Sequence, residues 1–278
     1  MRTRARAVTV SGLRSHSLSA APRRKKRSRP RIDSFPVQLG LVILAIALMI
    51  LGWEIAVIAG VKSFILPSPR SVADALWSDR NILAPALWVT FKETIFGFLI
   101  ATGFGIAIAC AIASSRVVER MVYPLLVVSN AVPKIALAPV FISWFGLGSF
   151  PHVVIAALLA GFPVVISTAV GLVGVDSGLI LLGRATNATK LRTFALIRFP
   201  AALPSIFGGL KLGVTLALTG AVVGEFVGGN VGLGYVITNA QGNLLLSRAF
   251  AAIVVLAVIG IALFYLVELV EKLVIPRK

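Results

Sequence analysis

Few side chains of this 278-residue sequence are of the types that catalyse reactions or bind metal ions. The chain has one cysteine, Cys110, and two histidines, His16 and His152. A single cysteine excludes an internal disulfide framework and a thiolate cluster, and two histidines far apart in sequence favour no His-based metal site. No Ser/His/Asp set and no pair of carboxylates is grouped in a way that indicates an active site. We therefore expect no catalytic residues, no metal and no cofactor.

A glycine-rich segment, GGNVGLGY, begins at Gly228. A phosphate-binding loop of an ATPase requires a lysine followed by serine or threonine after its glycines. This segment lacks that lysine, and no Gly-Lys-Ser/Thr sequence occurs elsewhere in the chain. The sequence predicts that the chain does not hydrolyse ATP itself.

Glu225 stands just before this segment, close to the end of an apolar stretch. A carboxylate in or near a membrane span is a candidate functional residue, here at an outer mouth or a contact with a partner through residues 228–243. The alternative is an interfacial carboxylate that is exposed to water and satisfied by the neighbouring glycine-rich amides. Glu54, near the end of another apolar stretch, is interpreted as interfacial.

The elements that must position these residues are membrane-spanning helices. The composition is 58% hydrophobic and 13% charged, with a mean hydropathy of +0.97, which is not typical of a soluble protein. A helix needs about 20 largely apolar residues to cross the hydrocarbon core. The sequence predicts an all-α integral membrane protein whose transmembrane domain covers residues 37–275. The six predicted spans lie near residues 37–60, 89–113, 121–145, 151–174, 204–228 and 248–270.

Basic residues orient the predicted bundle. Lys and Arg outnumber Asp and Glu by 27 to 10, and much of the excess lies in residues 1–36, which argues against a folded nucleic-acid-binding domain. The other basic residues concentrate in the connections after the second and fourth spans and at the C-terminus. Because basic residues accumulate on the cytoplasmic side, we expect a multi-pass protein in the lipid bilayer with both termini in the cytoplasm.

The tail of residues 1–36 is rich in Arg and Ser, and we expect it to be disordered. It fits a topogenic anchor that touches anionic lipid, and its composition also fits an organelle transit peptide. A secretory signal is excluded because no apolar core or small-residue cleavage site precedes the first span.

Small residues at four-residue steps predict close helix packing in lipid. The alternative explanation of such rows is that membrane helices are rich in Gly and Ala in general. One row in the second span consists of Gly97, Ala101, Gly105, Ala109 and Ala113, and the fifth span has two rows, Gly209, Gly213, Ala217 and Ala221, and Gly220, Gly224 and Gly228.

Three prolines in the third span, Pro124, Pro133 and Pro139, predict a kinked or broken helix. Irregular backbone at membrane depth is tolerated where protein or a water-filled path surrounds it. The break would then indicate a path through the bundle. The alternative is a kink that only shapes packing, with the Lys134 side chain reaching toward a membrane interface. The candidates to line a translocation path are Ser129, Asn130, Pro133 and Lys134, with Glu225 nearer its outer end.

The connection between the fourth and fifth spans is polar and basic. Ala188, Leu191, Phe194 and Ala195 recur at helical spacing and predict one apolar strip on a short amphipathic helix. Such a helix lies on the membrane surface or enters a groove on a cytoplasmic partner. The basic residues on its polar side are Arg184, Lys190, Arg192 and Arg198.

This connection resembles the EAA loop of permease subunits of binding-protein-dependent ABC importers. That loop has the form Glu-Ala-Ala, three residues, Gly and, after a further stretch, Leu-Pro. Aligned on FPAALP, which contains Pro200 and Pro204, the motif places residues 181–183 (Leu-Leu-Gly) at Glu-Ala-Ala and Asn187 at the glycine. The glutamate is missing, whereas Asn tolerates the left-handed backbone that the glycine would adopt.

The resemblance covers residues 37–275. ILPSPRSVADAL, NAVPKIALAPVFISWFGLG and GEFVGGNVGLGYVI are similar to the branch of these permeases associated with nitrate, aliphatic sulfonates and taurine. Relatives in this branch also carry thiamine or flavin precursors and aromatic acids. The resemblance implies the type I, MetI-like permease fold in a bacterial plasma (inner) membrane and a small solute, favouring an anion.

The resemblance also implies partners and a coupling mechanism. The permease would pair with a second permease, which we expect to be a second copy, above two cytoplasmic ATP-binding subunits and below an extracytoplasmic solute-binding protein. The coupling loop, about residues 175–204, would dock through residues 184–196, with Leu191 and Phe194 as apolar anchors and Lys190 and Arg192 at the rim.

Two alternatives remain at this stage. A secondary transporter driven by protons or sodium would carry ionisable residues at the midplane and inverted repeats, and this sequence has few of the former and no evident repeat. A channel or a non-transporting assembly subunit is the other alternative, because the EAA glutamate is missing.

Overall fold

A computed structural model of the chain describes residues 35–63 and 65–275. Among the described residues, those up to residue 49 form one unit and those from residue 50 onward form another. The tail predicted to be disordered lies outside the described residues, apart from its last two. The described residues are helical and contain no strand. The helices are α1 (Phe35–Ile58), α2 (Pro69–Ser78), α3 (Arg80–Ser114), α4 (Arg116–Ala131), α5 (Ala138–Phe145), α6 (Ser149–Val173), α7 (Ser177–Ala185), α8 (Lys190–Thr193), α9 (Phe199–Gly228), α10 (Leu233–Gly242) and α11 (Leu246–Val274).

Among the described residues, five helices are long and apolar enough to cross a membrane. They match the first, second, fourth, fifth and sixth predicted spans. The helices of the second and fifth spans begin at Arg80 and Lys190, well before the predicted residues 89 and 204, because a helix continues past the apolar residues that reveal it in the sequence. The five are Leu39–Ile58, Arg80–Ser114, Ser149–Val173, Lys190–Gly228 and Leu246–Val274.

The third predicted span is broken, as its prolines predicted. α4 ends at Ala131, Val132 is extended with φ −73° and ψ 125°, and a short 3-10 turn over Lys134–Leu137 leads into α5. The residue before a proline avoids the helical region, so Pro133 ends α4 at this place. Pro139 lies in the first turn of α5, where its missing amide costs no hydrogen bond.

The broken segment still crosses the bundle. A Cβ at Gly97 of α3 would meet Ala156 of α6, and one at Gly105 would meet Val164 further along, so α3 and α6 run parallel. The chain between them, residues 115–148, therefore returns from one end of the bundle to the other. It thus takes the place of the third predicted span.

α6 is the central helix, packed between α3 and α9 through the predicted small-residue rows. A methyl group has no room at the glycines of these rows that face α6. Ala101, Ala156, Ala160, Ala217 and Ala221 form one buried cluster between the three helices. The close approach predicted from the glycine and alanine spacing is confirmed. The glycines of α9 that contact α6 are Gly209, Gly213, Gly220 and Gly224.

The short helix α10 packs at the end of the bundle where α9 ends. Gly232, with φ +102°, makes the turn that leads into it. Leu233, Val236 and Ile237 of α10 are buried against α2, α3 and α11. Near the start of α11, Arg248 donates two hydrogen bonds, of 2.8 and 2.9 Å, to the Asp79 carboxylate, which joins this end of α11 to the start of α3.

Candidate functional site

Two helices meet at a tight turn in the predicted coupling loop. α7 ends at Ala185, and Asn187 has φ 53°, the left-handed conformation expected at this position. The Ala188 amide donates to the Gly183 carbonyl at 3.1 Å. Thr189 caps α8, because its hydroxyl accepts the Arg192 amide at 3.2 Å. The turn thus ends one short helix and starts the next within a few residues.

The apolar strip predicted for this loop is wrong in its geometry. Ala188 lies in the turn and not on a helix, and Leu191 and Ala195 are exposed. Phe194 instead turns into the bundle, where it packs on the buried residues Leu172, Ala202 and Ile206. The four side chains therefore do not share one face.

The cause of this difference is a π-helical segment, Phe194–Arg198, between α8 and α9. Its wider turn shifts the register away from the regular helical spacing on which the strip was predicted. Pro200, which has no amide hydrogen to donate, follows directly in the first turn of α9, and Pro204 lies exposed within that helix.

The end of this loop presents a basic and apolar tip. Leu191 is 78% exposed, and the flanking Lys190 and Arg192 are exposed as well. Arg198 points back to the bundle and donates to the Ala113 carbonyl near the end of α3 at 3.3 Å, a favourable place for a cation. Arg184 lies in α7, and its side chain is outside the described set.

The predicted path residues whose side chains are described, Pro133, Lys134 and Glu225, do not form one site. Lys134 lines an open cavity of about 550 Å³ between α3, α4 and α6, and its ammonium lies 4.7 Å from the centre of the Phe162 ring. Pro133 is exposed beside it, whereas the side chains of Ser129 and Asn130 are outside the described set. Glu225 is not among the described residues that line this cavity. The remaining lining residues are almost all apolar.

A buried polar cluster lies instead at the end of the bundle that carries α10. Glu93 of α3 and Glu225 of α9 are 2% and 1% exposed, and His152 of α6 is 1% exposed. The His152 Nδ1 lies 3.1 Å from each carboxylate oxygen of Glu93. Three helices thus bring three titratable side chains together in the interior.

Glu225 also joins α10 to the bundle. It accepts the Gly234 amide of α10 at 2.6 Å and lies 2.6 Å from the Thr90 hydroxyl of α3. The same hydroxyl oxygen accepts the Leu233 amide at 2.9 Å. The first two amides of α10 are therefore held by side chains from α3 and α9.

This cluster corrects two expectations from the sequence. Glu225 is not an interfacial, water-exposed carboxylate, although the expected bond to a glycine amide is present. From the sequence we expected no pair of carboxylates to be grouped, whereas Glu93 and Glu225 belong to one cluster. One signal in the sequence could have found it. Glu93 lies four residues before Gly97, and Thr90 lies three residues before Glu93, so both are on the face of α3 that the small-residue row marks as buried.

Five described helices are long and apolar enough to cross a membrane, which defines an integral membrane protein, and comparison with known proteins gives its family. Residues 101–277 match the family described as binding-protein-dependent transport system inner membrane component. The chain belongs to this family. It is the transmembrane permease subunit of an ABC importer that works with a solute-binding protein.

Relatives with named solutes cover nearly the whole chain. A riboflavin transport system permease protein of Chloroflexus aurantiacus is 36% identical over 90% of this chain and 95% of its own length. A putative aliphatic sulfonates transport permease protein of Bacillus subtilis is 32% identical over 88% and 90%. A nitrate import permease protein of a Synechocystis strain is 27% identical over 98% and 99%.

A solved structure agrees with the fold. The inward-facing MetNI methionine ABC transporter superposes with a TM-score of 0.62 over 71% of this chain and 98% of that chain, at 17% sequence identity. The similarity confirms the predicted MetI-like fold. The family also excludes the alternative of a secondary transporter.

Proposed function

We propose that the basic and apolar tip around Leu191 docks this permease onto a cytoplasmic ATP-binding subunit. The observation that carries the proposal is the exposure of a large leucine, at 78%, between two exposed cations. The tip begins a helix that continues without interruption from Lys190 to Gly228 through the bundle. A groove with an apolar floor and an acidic rim would complement it.

The complex we infer has two permeases, which we take to be two copies of this chain, and two ATP-binding subunits that hydrolyse ATP. The termini and the coupling loop lie in the cytoplasm, and α10 faces the solute-binding protein. The distribution of basic residues supports this orientation. ATP binding would bring the two ATP-binding subunits together and move the tips with them, and hydrolysis would reset the complex.

The docking surface is tested by co-purifying the ATP-binding subunit with variants of the permease. Leu191→Asp places a charge at the centre of the tip, and we expect binding to weaken by about 2 kcal/mol, roughly thirty-fold. Val117→Asp is the matched control, because Val117 is equally apolar, 66% exposed and on the same expected side of the membrane. Equal binding by the two variants would contradict the assignment of the tip.

Phe194 has a different role in this proposal. Because it packs into the bundle beside Phe199, at a ring distance of 6.3 Å, it fixes the segment that carries the tip. Phe194→Asp is therefore expected to lower the thermal stability of the permease, which Leu191→Asp leaves unchanged. Leu181, 60% exposed where the EAA motif has glutamate, offers the converse test: Leu181→Glu should strengthen binding.

The solute we propose is a small anion such as a sulfonate, taurine or nitrate. Lys134 is the one charged residue among the described residues that line the cavity, and the sulfonate and nitrate relatives support this solute class. In a reconstituted complex, Lys134→Met should reduce anion uptake about tenfold or more, the effect of one lost charge interaction of about 1.4 kcal/mol. Lys92→Met, at an exposed lysine of α3, is the control.

A flavin or thiamine precursor is the second candidate. The riboflavin relative favours it, and Phe104 and Phe162 in the cavity wall could stack on a planar ring. Uptake of riboflavin that is insensitive to Lys134→Met would decide for this candidate and against the anion.

A further inference from the structure

We propose that Glu93, His152 and Glu225 form a proton-binding site beside the first turn of α10, in which one of the two carboxyl groups holds a proton. The ligand is the proton itself. The site is distinct from the coupling loop, which lies at the other end of α9, and it requires neither solute nor ATP-binding subunit.

The first argument is the balance of charge in a buried place. Glu93 and Glu225 are both almost fully buried, and Thr90, one helical turn before Glu93 on α3, contacts Glu225. α5 and α10, which also pack at this end, have no charged residues, and Arg248 of α11 is occupied by Asp79. Arg70 of α2 and Lys92 of α3 are exposed. Among the described residues at this end, His152 is therefore the one group that can supply a positive charge to the two buried carboxylates. Because an unbalanced buried carboxylate costs several kcal/mol, the pair retains a proton.

The second argument is that the hydrogen bonds are complete in either state of Glu225. The Thr90 hydroxyl has two acceptors, Glu225 at 2.6 Å and the Ala86 carbonyl at 3.2 Å. When Glu225 is ionised, Thr90 donates to it. When Glu225 carries a proton on that oxygen, it donates to Thr90, whose own hydrogen turns to Ala86. The proton is exchanged without leaving a buried group unpaired.

The third argument is the state of His152. Its Nδ1 faces Glu93, whereas its buried Nε2 has no hydrogen-bond partner among the described residues. When Nδ1 alone carries a hydrogen and donates it to Glu93, the imidazole is neutral and the lone pair of Nε2 can accept a proton; a proton on Nε2 makes His152 the cation of the first argument. The cluster thus has a carboxyl position and an imidazole position for protons.

A metal ion fits the cluster poorly. The described residues contain no group of His, Cys, Asp and Glu arranged to hold one. The glycine backbone also lies directly on Glu225, since a Cβ at Gly234 would be 2.8 Å from both its Cβ and its Oε2. This leaves no space for a cation with bound water beside that oxygen.

Infrared spectroscopy of the purified full-length permease in lipid nanodiscs tests the site. A protonated carboxyl group has a C=O stretch apart from that of a carboxylate, and this band shifts in D₂O. We expect the band at neutral pH in the wild type and its loss in Glu225→Gln, which preserves shape and leaves Glu93 to pair with His152. Glu119→Gln, at the start of α4, is the matched control and should keep the band. In His152→Gln the band should persist to higher pH, because the cation that favours ionisation is gone.

Two results would overturn the proposal: absence of the band from the wild type at neutral pH, or its undiminished presence in Glu225→Gln. If that variant fails to fold, the wild type alone still decides. Labelling the glutamate carboxyl carbons with ¹³C must shift the band, and a band that shifts only with labelled aspartate refutes the site. Neither measurement involves transport, so failure here leaves the proposed docking surface intact, and the reverse also holds.

Discussion

Gly220 of α9 offers a sensitive test of the packing between α6 and α9. A Cβ at this position would lie 2.6 Å from the Ala156 Cα, 2.9 Å from its amide nitrogen and 3.0 Å from the Ile155 carbonyl oxygen. These are backbone atoms, which cannot move aside as a side chain would. Gly220→Ala therefore forces the two helices apart.

The magnitude follows from the distances. Ordinary Cβ contacts begin at 3.4 Å, so the helices must separate locally by about 0.8 Å, and a gap of that size forfeits about a quarter to a half of each dispersion contact around it. Lipid provides no hydrophobic force to hold the helices together, so these contacts carry the association. We expect Gly220→Ala to lower the free energy of unfolding by about 1–3 kcal/mol.

Gly208 is the matched control on the same helix. A Cβ there meets nothing within 4 Å, and alanine is the better helix former by about 1 kcal/mol. Gly208→Ala should therefore unfold at the same temperature as the wild type or a higher one, and Gly220→Ala at a lower one, when the purified permease is heated in detergent. Equal midpoints for the two variants would refute the close approach of α6 and α9.

Three further predictions concern single hydrogen bonds and turns. Thr90→Val removes the hydroxyl that links Glu225 to α10 and should cost about 1–3 kcal/mol, with faster hydrogen exchange in α10; unchanged exchange would contradict the link. Asn187→Gly should be neutral in thermal stability, whereas Asn187→Val should cost about 1–2 kcal/mol, since a β-branched residue resists the left-handed backbone; a neutral valine variant would argue against that conformation. A double-mutant cycle of Arg248→Met and Asp79→Asn should give a coupling of about 1 kcal/mol, measured by unfolding at low and high salt, and a coupling near zero at low salt would show that the pair contributes nothing.

The sequence predicted the architecture because lipid imposes simple rules. Apolar length located the spans, and the small-residue rows gave the faces on which α3 and α9 meet α6. Pro133 marked the break in the third span. The helix starts were less predictable. α3 begins at Arg80, before its apolar stretch, and hydropathy does not mark the residue at which a helix begins.

The coupling loop was only partly predictable. Asn187 indicated its own left-handed turn, because few residues other than glycine adopt that backbone readily. The position of Phe194 was not predictable from helical spacing, since a π-helical segment changes the register and depends on packing against α6 and α9. Of the two predicted apolar anchors, Leu191 and Phe194, only Leu191 has the exposure that the amphipathic pattern predicted for a docking residue.

The buried cluster was missed because its members come from three helices far apart in the chain. Glu93 belongs to no recognisable motif, and His152 at the head of an apolar stretch resembles an isolated interior histidine. Only the registers of α3 and α9 against α6 bring the two carboxyl groups and the imidazole together. Such a site is visible once helix pairing is known, and hydropathy does not contain that information.

The unbroken helix from Lys190 to Gly228 has 39 residues, which makes it about 58 Å long at 1.5 Å per residue. It has the exposed cations at one tip and the interior carboxyl of Glu225 near the other. A helix resists compression along its axis, so a push on the first turn arrives almost undiminished at the last. A movement of the tip along the helix axis would thus be transmitted to Glu225. The π-helical turn at Phe194–Arg198 is the place where a rotation of the tip would be taken up.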